Sequence, residues 1–389
     1  MIRAAGLVLG LWAAGVSAVT ASAPPAPAGA RISPVTTGEI AGWTQDDHRV
    51  VLRLFAQGCE TDPPLRQGIE PPPGLPVLCT EAAALLKAGE PDRATARKFF
   101  EDRFSFWRVR PAETPSGFMT GYFEPEFEGS LTQSAAFPTP LYGRPVDLVT
   151  KMPGDDWPGF DPALSSARRG ERGLEPFPDR AAIDDGALDG QGLEILWMRD
   201  PVDRFVLQVQ GSGRIRLPDG RVTRLVYAGR NGHPYTSLGR ELSRRENIPP
   251  AEMTMDRLVA RLKADAGFAR ELIRLNRSFV FYARRDDLPP EAGPIGAAGL
   301  PLTPLRSIAV DRSVWPYGMP AWIAGEIPDG TGGAEVLSRL VLAQDTGSAI
   351  LGPARIDLFV GSGPQAGHRA GLIRHPFDLI VLWPRGRER

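Results

Sequence analysis

The sequence predicts a mainly β protein. Three observations lead to this fold class. From about residue 118 onward, short runs of β-branched and aromatic residues alternate with turn residues. The 43 glycines and 39 prolines fall between these apolar runs. Roughly the last 85 residues carry only strand-like runs. The 389 residues suffice for two ordinary domains or one large one.

The composition excludes several classes of protein. Hydrophobic residues make up 42% of the chain and charged residues 23%, as in soluble globular proteins. The net charge of −1 lacks the basic surplus of nucleic-acid-binding proteins, so we expect no nucleic-acid partner.

The first 23 residues predict a secretory signal peptide. Arg3 precedes an apolar run, and small residues at the positions before Ala18 and Ala23 form two candidate cleavage sites. We favour cleavage after Ala18, because Pro24 would follow a cut after Ala23. The alternative is an uncleaved anchor, for which the run is short. We therefore expect export to the periplasm, without lipid attachment because no Cys lies nearby.

Cys59 and Cys79 are the two cysteines of the chain. In an oxidising compartment such a pair usually forms a disulfide, and the alternative is two buried thiols. No His lies near them, so we expect no metal site there.

The N-terminal third is predicted to be helical after a disordered Ala/Pro-rich segment at about residues 19–35. The predicted helices span residues 45–57, 80–88 and 92–107. Asp92 is a suitable N-cap for the third helix, whose aromatic residues we assign to the core.

Strands are predicted next, with two helices among them. The strand-like runs lie at residues 118–123, 193–198, 204–209, 214–217, 221–227 and 279–282. The helices are expected at 251–264 and 269–275, and a hairpin turn at 217–220. The C-terminal strands are expected at 307–310, 321–323, 339–343, 355–360 and 379–382.

Three aspartates stand at or within C-terminal strands: Asp311, Asp345 and Asp357. Asp357 has apolar neighbours on both sides. Burying a carboxylate is costly unless the group is paired or protonated, and a raised pKa suits a general acid near neutral pH. The alternative is a structural carboxylate that accepts backbone hydrogen bonds. Spacing alone leaves both interpretations open.

Two glycine-rich segments are further candidates for ligand contact. Residues 361–371 predict a loop that includes Gly363 and His368, where His368 is either catalytic or a structural hydrogen-bonding residue. Upstream, Gln210, Ser212, Tyr227 and Asn231 lie among glycines. Amides, hydroxyls and aromatic rings suit sugar recognition, although polar turns have the same composition.

Eight short motifs follow one another along the chain: TGYFEP (120–125), VQGSG (209–213), YAGRNGH (227–233), NRSFVF (276–281), VDRS (310–313), QDTGSAI (344–350), RIDLF (355–359) and GPQAGHRAG (363–371). Motifs in this order resemble the membrane-bound lytic transglycosylase A family, over roughly residues 100–385. Asp311, Asp345 and Asp357 resemble the three aspartates of the family's C-terminal 3D domain, at about 300–385.

The resemblance implies a fold and a site. Residues 24–121 and 283–389, with the N-terminal helices, would form a double-psi β-barrel, and residues 122–282 an inserted β-rich domain. A glycan would lie in the groove between them. Asp357 would be catalytic, supported by Asp345 and Asp311. The implied substrate-binding residues are Thr120, Tyr122, Gln210, Ser212, Tyr227, Asn231, Gly363 and His368.

The resemblance also implies a reaction. Asp357 would act as acid and then base in exolytic cleavage of peptidoglycan glycan strands between N-acetylmuramic acid and N-acetylglucosamine. The product would carry a 1,6-anhydro ring. The implied protein is a monomer that needs no metal or cofactor. The chain departs from the family in lacking a lipid-attachment Cys and in carrying Glu124, which we expect to be a charge near the groove.

Two other functions stay open. A hydrolytic glycosidase would need a second carboxylate, for which Glu124, Glu126 and Asp345 are candidates. A non-catalytic glycan-binding protein of the envelope would need none. We also expect peripheral association with envelope proteins or the outer membrane.

Overall fold

The computed structural model describes residues 23–59, 68–152, 154–289 and 292–386. Apart from Ala23, the predicted signal peptide lies outside these residues. The α-helices of the described residues are α1 (His48–Gln57), α2 (Gly74–Lys87), α3 (Arg93–Arg103), α4 (Arg180–Asp184), α5 (Pro201–Gln210), α6 (Leu238–Glu246), α7 (Met255–Ala264), α8 (Ala266–Arg274) and α9 (Gly363–Leu372). Within this described part, no helix combines the length and apolar content that a bilayer crossing requires.

The strands make the protein mainly β, as predicted. They are β1 (Ala30–Val35), β2 (Phe104–Pro111), β3 (Gly117–Glu124), β4 (Glu126–Ser130), β5 (Thr139–Tyr142), β6 (Leu148–Thr150), β7 (Ser166–Gly170), β8 (Gly173–Glu175), β9 (Glu194–Met198), β10 (Gly213–Arg216), β11 (Val222–Arg230), β12 (Val280–Arg285), β13 (Ser307–Val310), β14 (Pro320–Pro328), β15 (Ala334–Asp345), β16 (Arg355–Ser362) and β17 (Arg374–Pro384).

Six strands close into a barrel. They follow the order β17-β14-β15-β13-β16-β3, and β3 pairs again with β17. The β3–β16 and β13–β15 pairs are parallel, and the others are antiparallel. Strands β2 and β1 extend the sheet beyond β17. The barrel is therefore built from chain segments that lie almost 200 residues apart.

Apolar side chains fill the barrel and the layer outside it. Met119, Ile356 and Leu358 are nearly fully buried in the barrel core. Helices α1–α3 pack against the barrel through a second cluster that includes Trp43 and Trp322. A disulfide joins Cys59, just after α1, to Cys79 in α2.

A second unit lies between β3 and β13 in the chain. Its six-stranded sheet has the order β12-β11-β10-β4-β9-β5, and a three-stranded sheet has the order β6-β7-β8. Helices α5–α8 pack together around a separate apolar cluster. The predicted domain limits, 122–282 for this unit, stay a prediction.

Residues 204–209 form part of helix α5, so the prediction of a strand there was wrong. Asp200 caps the helix by accepting hydrogen bonds from the N–H groups of Val202 and Asp203, at 2.8 and 2.9 Å. Pro201 occupies the first turn, and Gly211 ends the helix in the left-handed conformation. These end signals outweigh the short apolar run between them.

Other segments also differ from the sequence-based expectation. The predicted helix 92–107 ends at Arg103, because the following aromatic residues pair with β17 as part of β2. Residues 30–35 form β1 rather than a disordered segment. The predicted glycine-rich loop is helix α9, which packs on β3 and β16. The predicted strand 307–310 matches β13.

Candidate active site

Asp357 lies on the outer face of the barrel beside β3. Its neighbours in the chain, Ile356 and Leu358, point into the barrel core, so the alternation of a strand turns Asp357 outward. Thr120 is directly opposite on β3. The Thr120 hydroxyl donates a hydrogen bond of 2.8 Å to Asp357 Oδ1 and accepts one of 2.8 Å from Arg355 Nη2.

The surroundings raise the pKa of Asp357 to about 6. Burial is the main cause, because it disfavours the charged form. The hydrogen bond from Thr120 and the positive charge of Arg355 partly oppose this rise, whereas the negative charge of Asp345 adds to it. A carboxyl with this pKa can give and take a proton near neutral pH.

Asp345, at the end of β15, is held by three donors. Its Oδ2 accepts a bond of 2.9 Å from the Tyr122 hydroxyl. Its Oδ1 accepts bonds from the N–H groups of Thr346 and Ala297, at 2.9 and 3.1 Å. Burial raises the pKa of Asp345, and it raises the pKa of Tyr122 well above its ordinary value. The carboxyl of Asp345 is therefore held in one orientation next to β3, where it is the second acidic group of the site after Asp357.

Asp311 holds a loop. One carboxylate oxygen accepts bonds from the Ser313 N–H and hydroxyl, at 2.9 and 2.6 Å. The other accepts a bond of 2.7 Å from the N–H of Gly352, in the connection between β15 and β16. Both oxygens are thus engaged by the segments that flank the site. Asp311 therefore holds the loop beside the site and does not face the cavity, and its role in supporting Asp357 stays a prediction.

A cavity of about 390 Å³ lies between the barrel and the second unit. Thr120 belongs to its wall, although Asp357 itself does not. The Gln210 side-chain oxygen accepts a bond of 3.3 Å from the N–H of Phe123, which fixes the amide at the cavity. The wall consists of Thr120, Gly121, Phe123, Gln210, Met255, Asp256, Pro364, Gly367, His368, Ala370, Gly371, Ile373 and Arg374.

His368 faces the second unit across this cavity. Its Nδ1 lies 3.8 Å from Asp256 Oδ2 of α7, and both side chains are largely exposed. Gly363 begins α9 with a φ of +84°, a conformation that favours glycine. Gly367 sits so close to Phe123 that an added Cβ would lie 2.6 Å from the ring. Helix α9 therefore brings His368 to the cavity wall.

The other residues predicted to bind sugar differ in their exposure to solvent. Tyr227 is exposed on β11, and Ser212 is half-buried in the turn after α5. Asn231 is fully buried. Its amide nitrogen donates to two backbone carbonyls, at 3.0 and 2.9 Å, and its oxygen accepts the N–H of Phe279 at 2.9 Å. This network makes Asn231 structural, contrary to the predicted sugar-binding role.

The candidate second carboxylates Glu124 and Glu126 are each paired with arginine. Glu124 is fully buried and bonded to Arg214 and Arg224, so it is not the groove charge that the sequence suggested. Glu126 pairs with Arg216.

Sequence reasoning missed Arg355, although it lies two residues before Asp357 and hence on the same face of β16. No cluster of three His, Cys, Asp or Glu side chains suited to a metal ion occurs among the residues described.

Comparisons with known proteins agree with this architecture. The model of the "MltA specific insert domain" matches residues 118–283, and that of the "3D domain" matches residues 306–383. The chain is 32% identical over 305 residues to membrane-bound lytic murein transglycosylase A of Escherichia coli strain K12. The aligned residues make up 76% of this chain and 73% of that protein. The chain belongs to this family. The resemblance seen in the motifs is thereby confirmed.

Further lytic murein transglycosylases are similar over much of the chain. The Vibrio cholerae protein is 35% identical over 276 residues, 69% of this chain and 65% of the relative. A membrane-bound lytic murein transglycosylase structure from Agrobacterium tumefaciens has a TM-score of 0.80 and 35% identity, covering 91% of this chain and 98% of that one. E. coli MltA with bound chitohexaose has a TM-score of 0.65 and 26% identity, covering 91% and 95%.

Proposed function

We propose that the protein is a peptidoglycan lytic transglycosylase that cuts the β-1,4 bond between N-acetylmuramic acid and N-acetylglucosamine. The observation that carries the proposal is Asp357, whose pKa is raised to about 6 beside the cavity between the two units. The family membership supports the same activity. The chitohexaose bound by the E. coli relative supports a glycan strand as the ligand.

Asp357 acts twice in the proposed reaction. The protonated carboxyl first gives its proton to the glycosidic oxygen, and the bond from C1 to that oxygen breaks. The resulting carboxylate then takes the proton of the C6 hydroxyl on the same muramoyl residue. The C6 oxygen bonds to C1, which closes the 1,6-anhydro ring and restores protonated Asp357. Because the nucleophile is intramolecular, one carboxyl suffices.

The arrangement of the other acids favours this reaction over hydrolysis. A hydrolytic glycosidase needs a second carboxylate that activates water or attacks the sugar. Glu124 and Glu126 are held by arginines, and Asp345 is held by Tyr122 and two backbone N–H groups. Asp345 is instead a fixed neighbour of Asp357, and its charge adds to the rise in the pKa of Asp357 that burial causes.

We extend the proposal to the barrel and to the location. The two parallel pairs in the closed barrel support a double-psi type, with residues 122–282 as an inserted domain. The secretory pattern of residues 1–23 and the membrane-bound relatives support an envelope location, which we assign to the periplasm.

Asp357→Asn tests the catalytic role. Since Asn cannot transfer the proton, we expect turnover to fall by about 10³-fold or more, with glycan binding retained. The assay is release of soluble muropeptides from purified sacculi, with mass spectrometry of the products. Asp378→Asn is a matched control, because Asp378 also lies on a barrel strand beside an arginine, Arg108.

Three results would argue against the proposal. Near wild-type turnover of Asp357→Asn would remove this residue from the mechanism. Reducing ends instead of anhydro ends, which are lighter by one water, would indicate hydrolysis. Wild-type protein that binds sacculi without releasing products would indicate a glycan-binding protein.

A further inference from the structure

Glu124 occupies the point where the chain leaves the barrel. It is the last residue of β3, and Glu126 already belongs to the sheet of the second unit. Its side chain is fully buried. A buried carboxylate must be compensated by several partners. These partners come from both units and from the segment that returns to the barrel.

Two arginines of the second unit surround the Glu124 carboxylate. Arg224 on β11 places its Nε 2.7 Å from Oε1, and its Nη2 lies 3.5 Å from Oε2. Arg214 on β10 places its Nε 2.9 Å from Oε2. Charge-assisted bonds of this kind are short and directional, so they define the orientation of the carboxylate relative to both strands.

The same network includes the barrel and the returning chain. Ser362, at the end of β16, donates its hydroxyl to Glu124 Oε2 at 2.7 Å. The carbonyl of Ala292 accepts bonds from Arg224 at 2.7 Å and from Arg214 at 3.4 Å. Strand β3, strand β16, strands β10 and β11 and the return segment thus meet at one carboxylate.

This network opposes rotation of one unit against the other. A change in their angle would separate Glu124 from an arginine inside the protein, where no water replaces the lost bonds. Strand β3 also carries Thr120 and Tyr122, which contact Asp357 and Asp345. The carboxylate therefore links the angle between the units to the strand that supports the candidate acid.

We propose that Glu124 is a positioning residue that fixes the second unit against the barrel and so sets the geometry of the glycan groove. Its effect on glycan turnover rests on the function proposed above, whereas its effect on the angle between the units does not. Glu124 acts through its contacts and does not touch the sugar.

The test measures the distance between the two units directly. Nitroxide labels are attached to cysteines introduced at Val336 in the barrel and Val146 in the second unit, which are both exposed. The native cysteines are joined in the disulfide. Glu124→Gln and Arg214→Gln are compared with wild type by double electron–electron resonance. Arg214 is partly exposed, so we expect its variant to fold even where Glu124→Gln does not.

Arg216→Gln is the matched control. Arg216 lies two residues after Arg214 on β10 and pairs with Glu126, but this pair is more exposed and lies within the second unit. We expect a broadened distance distribution for Glu124→Gln and Arg214→Gln, and an unchanged one for the control.

Kinetics on glycan strands give the second measurement. We expect KM to rise by about tenfold for the two network variants, with a smaller change in kcat and an unchanged pH profile. A distance distribution as narrow as that of wild type in folded Arg214→Gln would overturn the proposal. So would a shifted pH profile at unchanged KM. The distance result holds whether or not the protein cleaves glycans.

Discussion

At the scale of single residues, the candidate acid depends on opposing neighbours. Burial raises the pKa of Asp357, while Thr120 and Arg355 stabilise its charged form. Thr120 has a double role, because its hydroxyl donates to Asp357 and accepts from Arg355. The pKa of about 6 therefore results from opposing effects, and loss of the Thr120 hydroxyl should change it.

Thr120→Val should move the pH profile upward. The substitution keeps the shape of the side chain but removes the hydrogen bond that stabilises the carboxylate, so the pKa of Asp357 rises further. A general acid works below its pKa, so the alkaline limb of kcat/KM, near pH 6 in wild type, shifts to higher pH. Muropeptide release measured from pH 4 to pH 9 checks this.

Thr114→Val is the control for this change, since Thr114 is exposed just before β3 and its hydroxyl donates a local hydrogen bond to the carbonyl of Ser116. A limb that moves to lower pH in Thr120→Val would mean that Arg355, released from Thr120, dominates the charge of Asp357.

The sequence identified part of this site. Thr120 and Asp357, both candidates from the sequence, lie opposite each other because parallel pairing places β3 beside β16. Tyr122 and Asp345, also candidates, are joined by a hydrogen bond. The roles of these four residues in catalysis and binding stay predictions. The structural role of Asn231 was not readable, since sequence does not show which polar groups are already saturated by backbone partners. The pairing of Glu124 with arginines 90 and 100 residues away was hidden for the same reason.

At the scale of elements, end signals proved more informative than short apolar runs. The residues before α5 hold a cap and a proline, and Gly211 follows it, yet the run between them alternates like a strand. In α9, the glycines suggested a loop, whereas close packing on β3 explains Gly367, where an added Cβ would lie 2.6 Å from the ring of Phe123. Gly121 of β3 lies so near that an added Cβ would meet the Ala370 backbone at 3.0 Å.

Gly232→Ala should strongly destabilise the second unit. Gly232 has a φ of +87°, and an added Cβ would lie 2.3 Å from the backbone nitrogen of Ser166. Both conformational strain and a backbone clash result, so we expect a loss of about 3 kcal/mol or more in the free energy of unfolding. Urea denaturation followed by circular dichroism measures it.

Gly190→Ala separates the two causes. Gly190 has a φ of +72°, but an added Cβ would meet nothing within 4 Å. We expect a loss of only about 1 kcal/mol there. Equal losses in the two variants would show that the contact with Ser166 relaxes without cost.

At the scale of the whole molecule, the pairing of distant strands could not be predicted from local sequence patterns. Barrel closure requires β3 to pair with both β16 and β17, across more than 230 residues. Alternation within a strand indicates which side chains share a face, but not which strand is the neighbour. The family resemblance implied instead that the N-terminal and C-terminal parts of the chain share one barrel, without the order of the strands.

The N-terminal helices are joined to the barrel around a buried histidine. His48 of α1 is fully buried, and its ring centroid lies 4.4 Å from that of Trp43 and 6.4 Å from that of Trp322 in β14. Burial lowers the pKa of His48, and the nearby positive charges lower it too, whereas Asp46 opposes this. Asp46 in turn bonds Arg306 at 2.7 Å.

Acid should therefore weaken the packing of the N-terminal helices on the barrel around His48 and lower the free energy of unfolding. The unfolded chain binds a proton at His48 below pH 6.5, while the folded protein resists protonation to lower pH, so stability falls as pH drops through 6.5. From pH 7.5 to pH 5, we expect His48 to contribute a loss of up to about 2 kcal/mol in the free energy of unfolding. In His48→Gln this contribution disappears, whereas His375→Gln, at a partly exposed position of β17, should keep it. Urea unfolding at both pH values measures the difference, and an equally steep loss in His48→Gln would assign acid sensitivity to other groups.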